Sequence, residues 1–318
     1  MNNREDRRSF LAQSAVAAVA LASWEAPVEA ADSIPLIDTH QHLWDNKIIR
    51  PPWLGEAPQI AQPHTMELYL KEARGLGIVK TVYMEVDAAE SDQVKEAELV
   101  IATCKGKKTP MKKAVISGRP GTAGFAAYAR KYEHNPYIRG YRQILHPPNR
   151  ERGLCLQPQF VKSIQMLGKM GKSYDICIRP AELEDACKLV DQCPGTQFVL
   201  DHCGNAEAPW GTQSPEYQTW AKGMKEISRR KNVIGKVSGV IKTCKPDKDK
   251  AEQLKPIVHH TIEVFGINRV IWASDWPVCE FTAPLKEWVA VARKLASELP
   301  ARDQRKLFHD NAAKFYGI

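Results

Sequence analysis

The chain has 318 residues, 45 Lys and Arg against 37 Asp and Glu, a formal charge of +8, and 43% hydrophobic residues. That length suits one large α/β domain. The basic residues are spread along the chain with no helix-turn-helix, finger or RNA-binding signature, which argues against a nucleic-acid partner.

Residues 1–31 carry Arg7-Arg8-Ser9-Phe10-Leu11, an Ala/Val-rich stretch from Ala15 to Ala22, and small residues around Ala30. This is the layout of a twin-arginine export signal, an address rather than part of the fold. The stretch is shorter than the roughly 20 residues of a membrane span. The expectation is an exported, periplasmic protein beginning near Ala31 or Asp32, with no later segment apolar enough to span a bilayer.

From residue 32 onward, short runs rich in Val, Ile and aromatics recur: LIDTH (36–40), KTVYMEV (80–86), KAVISG (113–118), IRGYRQI (138–144), YDICIR (174–179), QFVLDH (197–202), NVIGKVSG (232–239) and RVIWASD (269–275). Amphipathic stretches such as QFVKSIQMLGKMG and AELEDACKLVDQC separate them. Eight β-then-α units without a composition break predict a single-domain (β/α)8 TIM barrel over 32–318. An open doubly wound sheet would want a Gly-rich phosphate turn after its first strand, where this chain has histidines. The basic run at 105–113 reads as a solvated loop. Eight cysteines without a CxxC pair read as buried thiols, with a Cys187–Cys193 bridge left open.

A (β/α)8 barrel does its chemistry at the C-terminal ends of the strands. The run ends, in order, carry His40 and His42, Glu85, Arg119, Arg142, Arg179, His202, Lys236 and Asp275. Buried charge is costly unless paired or used, so this end of the barrel is expected to be a polar pocket. His40 and His42, two apart on a strand, point to one side and form a compact chelate for a divalent metal; the competing reading is two hydrogen-bonded rim histidines. Asp275, ending an apolar strand, is a ligand or base, or else the N-cap of the next segment. Arg119, Arg142, Arg179 and Lys236 around one mouth imply an anionic or polyhydroxylated small-molecule substrate, with internal salt bridges to Glu85 or Asp201 as the alternative. Glu85 is open between ligand, partner of an arginine, and acceptor for a histidine. Trp44, Trp53 and Trp276 are placed to stack on a ring or to pack under a proline-rich lid at 45–63. His64, His134, His146, His259, His260 and His309 read as surface or capping residues.

The segments IDTHQHLWD, IRGYRQIL, FVLDHCGNA, KVSG and WASDWPV, with FHDNAAKFYGI at the end, resemble the amidohydrolase superfamily, and within it the lactonase-like amidohydrolase-2 branch. The resemblance runs from Leu36 to Ile318. It implies His40, His42 and Asp275 as metal-site positions and His202 as a catalytic or substrate-polarising residue. Strand four lacks the lysine or glutamate that bridges two metals in related proteins, so one divalent ion at most is expected, zinc first. Strand five ends in Arg179 instead of the histidine that many one-metal members use, which leaves metal-independent catalysis open. The expected activity is opening of a sugar-acid or related anionic lactone by water, with Asp275 as base. A metal-dependent decarboxylase of the same branch and a non-catalytic sugar-acid-binding barrel are the alternatives.

Overall fold

The structure, a computed structural model, describes residues 34–318; the export-signal reading of residues 1–31 lies outside them. Eight strands form one parallel sheet in chain order: β1 (Leu36–Gln41), β2 (Ile78–Met84), β3 (Met111–Ser117), β4 (Ile138–Ile144), β5 (Ser173–Cys177), β6 (Gln197–Leu200), β7 (Val233–Val237) and β8 (Val270–Trp272). The seam between β8 and β1 closes at its C-terminal end. There Asp275 N donates to His40 O at 3.0 Å and His42 N to Trp276 O at 2.9 Å. The predicted barrel is therefore the observed one, and its last closing bonds join the very segments that carry His40, His42 and Asp275.

Helices follow each strand because the intervening sequence buries one stripe. In Leu183–Gln192, Leu183, Ala186, Cys187, Leu189 and Val190 are buried, the i, i+3, i+4, i+7 pattern. Starts are set locally. Ser214 accepts from Tyr217 N ahead of Pro215–Ser228, and Asp249 accepts from Ala251 N and Glu252 N ahead of Lys250–Phe265. Between sheet and helices lies one extensive apolar core.

Inside the barrel the filling is layered. At the N-terminal end Ile37, Val82, Met84, Val115, Val199 and Ile271 pack together under Ala312 and Tyr316 of the last helix, Asn311–Tyr316. Strand side chains alternate faces, so two residues after Val199 comes Asp201, and Lys236 follows Ile234 inward. A dry apolar floor thus passes abruptly into a charged layer. All eight cysteines are unpaired and buried, so Cys187 and Cys193 form no bridge. Among the described residues no helix is long and apolar enough to cross a membrane.

Candidate active site

β8 ends at Trp272, three residues short of Asp275, because the backbone leaves the ladder to aim that carboxylate inward. Asp275 has φ +58°, and His202, Cys203 and Asn205 after β6 have φ +55°, +50° and +56°. Such left-handed conformations cost a non-glycine residue roughly 1–2 kcal/mol each, and strain of this kind concentrates where a side chain must be held for function. Opposite them, Gly239 (φ +66°) is the one residue type that fits: a Cβ there would lie 2.4 Å from His202 Nδ1 and 3.0 Å from Asp275 Oδ2.

Hydrogen-bond logic assigns the histidine protons. His42 Nδ1 is 3.0 Å from the Met84 carbonyl, which only accepts, so Nδ1 carries the proton and Nε2 offers a lone pair 3.3 Å from Asp275 Oδ1. Arg142 Nη1, which only donates, lies 3.0 Å from His40 Nε2, so that nitrogen too is an acceptor, 3.4 Å from the same Oδ1. His42 Nε2 thus faces the Asp275 carboxylate with a free lone pair, whereas the single lone pair of His40 Nε2 is taken by Arg142 and could serve a divalent cation only in place of that bond. His40, His202 and Asp275 bring ligand atoms within 4.8 Å of one another. The tight triple thus includes His202 where the sequence pointed to His42, because the left-handed turn after β6 swings His202 inward while His42 is held at Met84. Burial lowers His40 well below the ordinary value and brings His202 to about 4, outweighing Asp275 and Asp201, so both imidazoles are neutral at pH 7. Burial would raise the Asp275 carboxyl, but the charges that His202 and His40 would carry, with Lys242, take it well below the ordinary carboxylate range. Its Oδ2 is buried with no hydrogen-bond partner.

The four cations expected to grip substrate are placed otherwise. Lys236 is wholly buried, 2.9 Å from Asp175 and 2.8 Å from Asp201. Arg142 donates to the Glu85 carboxylate at 2.7 Å, the Glu85 carbonyl at 2.9 Å and Asp201 at 3.2 Å. Glu85 also accepts from Ser117 and from the Asp87 N–H, which makes it an arginine partner. Arg119 pairs with Asp87 at 2.7 Å. Arg179 spends all three nitrogens on Glu182 and the carbonyls of Pro147 and Arg150. Only Arg142 reaches the main cavity, with its charge already matched, and Arg179 borders a side chamber. Internal pairing to Glu85 or Asp201 therefore describes Arg142 and Lys236, while Arg119 and Arg179 are matched by other carboxylates, Asp87 and Glu182.

Trp44 and Trp276 are buried beneath the 45–63 segment rather than facing substrate. Trp44 pairs through its backbone with His64, a histidine that is fully buried and not at the surface. Trp53 does line the cavity, held by Nε1 donating to Val86 O at 2.7 Å. The segment forms two short 3-10 turns, Pro52–Glu56 and Pro58–Ile60, with Leu54 and Ile60 buried, and lines the cavity through Trp53, Glu56 and Ala57.

Trp276 Nε1 donates to Glu72 at 2.9 Å and Glu280 at 2.8 Å. Burial, and then the adjacent Glu72 carboxylate, raises Glu280 from 4.5 to about 8. A raised folded-state value means that the protonated form's contribution to stability is complete below pH 4.5 and is lost as pH rises through 8. Glu280→Gln should therefore match the parent at pH 5 and melt a few degrees higher at pH 9. Thermal scans at the two pH values check this, and a variant that melts lower at pH 9 contradicts the shared proton.

Above Asp275 opens a cavity of 360 Å³, lined by His42, His202, Asp275 and Arg142 on its floor and by Trp53, Val86, Ile144, Pro147, Val278 and Phe281 on its walls. A side chamber of 190 Å³ shares His146, His202 and Lys242 with it. His146, expected at the surface, is a lining residue whose imidazole burial and then Lys242 push down to about 3. Cys177, at the tip of β5, also lines the cavity and stands close to Asp201 and His202. The alternation that put Asp175 inward could have indicated Cys177; nothing local marked His146 or Lys242, which follow their strands in loops.

Against this geometry, known proteins give a consistent picture. The family model described as Amidohydrolase matches residues 37–318. The L-fucono-1,5-lactonase of Burkholderia multivorans is 24% identical over 291 residues, covering 89% of this chain and 96% of that one. The L-rhamnono-gamma-lactonase of Scheffersomyces stipitis is 24% identical over 247 residues, covering 67% and 72%. The crystal structure of an amidohydrolase from Burkholderia multivorans with bound zinc superposes with a TM-score of 0.79 at 20% identity, covering 89% of this chain and 99% of that one. With a model match across nearly the whole barrel, the chain belongs to the amidohydrolase family of hydrolases.

Proposed function

We propose that this protein is a lactonase, which opens a sugar-acid or related cyclic ester by attack of water with Asp275 as the base. The observation that carries the reading is Asp275 itself: an ionised carboxylate on the cavity floor, with Oδ1 held against His40 and His42 and Oδ2 buried without a partner. An unpartnered buried oxygen is costly unless it has a proton to take. The lactonases among the relatives, at 24% identity, favour an ester over an amide.

As the water oxygen bonds to the lactone carbonyl carbon, its proton passes to Asp275. The tetrahedral centre collapses by breaking the ring C–O bond, and the departing alkoxide takes the proton back, so one water is added and a hydroxy acid leaves. The largest influence depressing the Asp275 carboxyl is the charge His202 would carry, and at neutral pH that imidazole is uncharged, which restores basicity to the carboxylate. His202 Nδ1 lies 2.9 Å from Ser238 Oγ. With the hydroxyl donating, His202 keeps its proton on Nε2 and can hydrogen-bond the developing oxyanion, a contribution of about 2.7–4 kcal/mol for such a donor. A divalent cation at the His40, His202 and Asp275 cluster would supply Lewis acidity instead, and His202, as its ligand, would then not be the oxyanion donor.

The test is acid release from a panel of five- and six-membered aldonolactones at controlled pH, with the protein zinc-loaded and chelator-treated. Saturable opening of at least one lactone is expected. Folded protein that opens none, yet releases CO2 from an aromatic acid, would establish the decarboxylase instead.

A further inference from the structure

Every arginine or lysine that the strand ends bring to the barrel mouth is matched by a carboxylate or by carbonyls, with one exception. Lys242 sits in the 3-10 turn Val240–Thr243 after β7, at the junction of the main cavity and its side chamber, where it lines both with His146 and His202. Among the described residues its ammonium has neither a hydrogen-bond nor an ion-pair partner, whereas Arg119, Arg142, Arg179 and Lys236 all do. The other carboxylates lining the two chambers are committed or distant: Asp87 is held by Arg119 and Arg150, Asp275 by the histidines, and Glu56 and Glu207 are exposed at the rims.

The position of Lys242 is fixed from both sides. Gly239 turns the chain out of β7 with φ +66°, and Thr282 Oγ1 donates to the Lys242 carbonyl at 2.8 Å, tying the turn to the segment after β8. The same cavity is lined by the apolar Trp53, Val86, Ile144, Pro147, Val278 and Phe281. A ligand here meets one unmatched ammonium beside apolar surface, since the lining Arg142 and Asp87 are paired already. A lone ammonium matches one negative charge; a phosphate dianion calls for several donors or a fork of them.

We propose that Lys242 selects the substrate by pairing with a carboxylate that the lactone carries outside its ester ring, so that monoanionic lactones are opened in preference to neutral ones. This deepens the lactonase reading and rests on it for turnover, while the anion site itself can be tested apart from turnover.

The comparison is between an aldaro-1,4-lactone, which keeps a free carboxylate, and the aldono-1,4-lactone of the same ring. The parent protein should favour the carboxylated ring at least tenfold in kcat/KM. Lys242→Met should lower kcat/KM for that ring by about 10- to 100-fold, the worth of a charge-assisted hydrogen bond, chiefly through KM. The same change should alter the neutral ring less than threefold, and Lys242→Arg should recover most of the loss. Equal losses on both rings, or no preference in the parent, overturn the proposal. If the parent opens no lactone at all, the lactonase reading fails; calorimetric titration of the parent and of Lys242→Met with the open-chain aldarate then decides the anion site, which stands if only the parent binds and falls if both bind alike.

Discussion

Asp275→Asn should leave the barrel folded and lower kcat on any lactone the parent opens by about 10²–10⁴-fold, the usual share of a positioned general base. Asparagine is the informative choice. It tolerates the left-handed backbone found at φ +58°, so the turn should survive. Its amide can donate to the lone pair of His42 Nε2, which the carboxylate cannot, so that contact at 3.3 Å is kept while the proton acceptor is removed. Steady-state rates beside a thermal melt give the answer. Near-parental turnover in folded Asp275→Asn protein would remove this residue from the chemistry, and a collapsed melt would reassign it to the seam, where its N–H bonds His40 O at 3.0 Å.

The second large effect should be on stability. Lys236→Met leaves Asp175 and Asp201 facing one another inside the barrel, each wholly buried and each deprived of the ammonium within 3 Å. Removing one partner of such a group costs about 3–5 kcal/mol, because the remaining charge stays buried and unmatched. For a domain of this size the expected fall in Tm is on the order of 10 °C. Adding Asp175→Asn should return part of it, since burial already raises that carboxyl to about 6 against the pull of Lys236 and it is the readier of the two to give up its charge. Asp201 should not be interchangeable with it: Lys236 and His40 hold its carboxyl well below the usual range, and it also anchors Arg142. A Lys236→Met protein melting within 2 °C of the parent would show that the charged layer is not what fills the barrel.

That layer also explains why a pocket rich in charge is not a pocket that grips by charge. Lys236, Arg142, Glu85, Asp201 and Asp175 form a connected set beneath Asp275, which touches His40 through Arg142 at Nε2 and Lys236 at Nδ1. The residues left to meet a ligand are fewer and are neutral or singly charged: His146, His202, Asp275 and Lys242.

The architecture was legible in the amino-acid order, because a buried parallel strand needs an apolar run and a surface helix needs an apolar stripe, and both leave periodic marks. So was the approach of His40, His42, His202 and Asp275 to one another, since each stands at a strand end that the barrel draws together. Partnership was not legible. Which cations would be consumed by Glu85, Asp87, Asp201 and Glu182, whether His202 or His42 would complete the tight triple, and that the unmatched charge would be Lys242 depended on distances of 3 or 4 Å between segments up to 233 residues apart. Electrostatic pairing falls off over just such distances, so it is decided when the chain has closed on itself and leaves no periodic mark in the order of its residues.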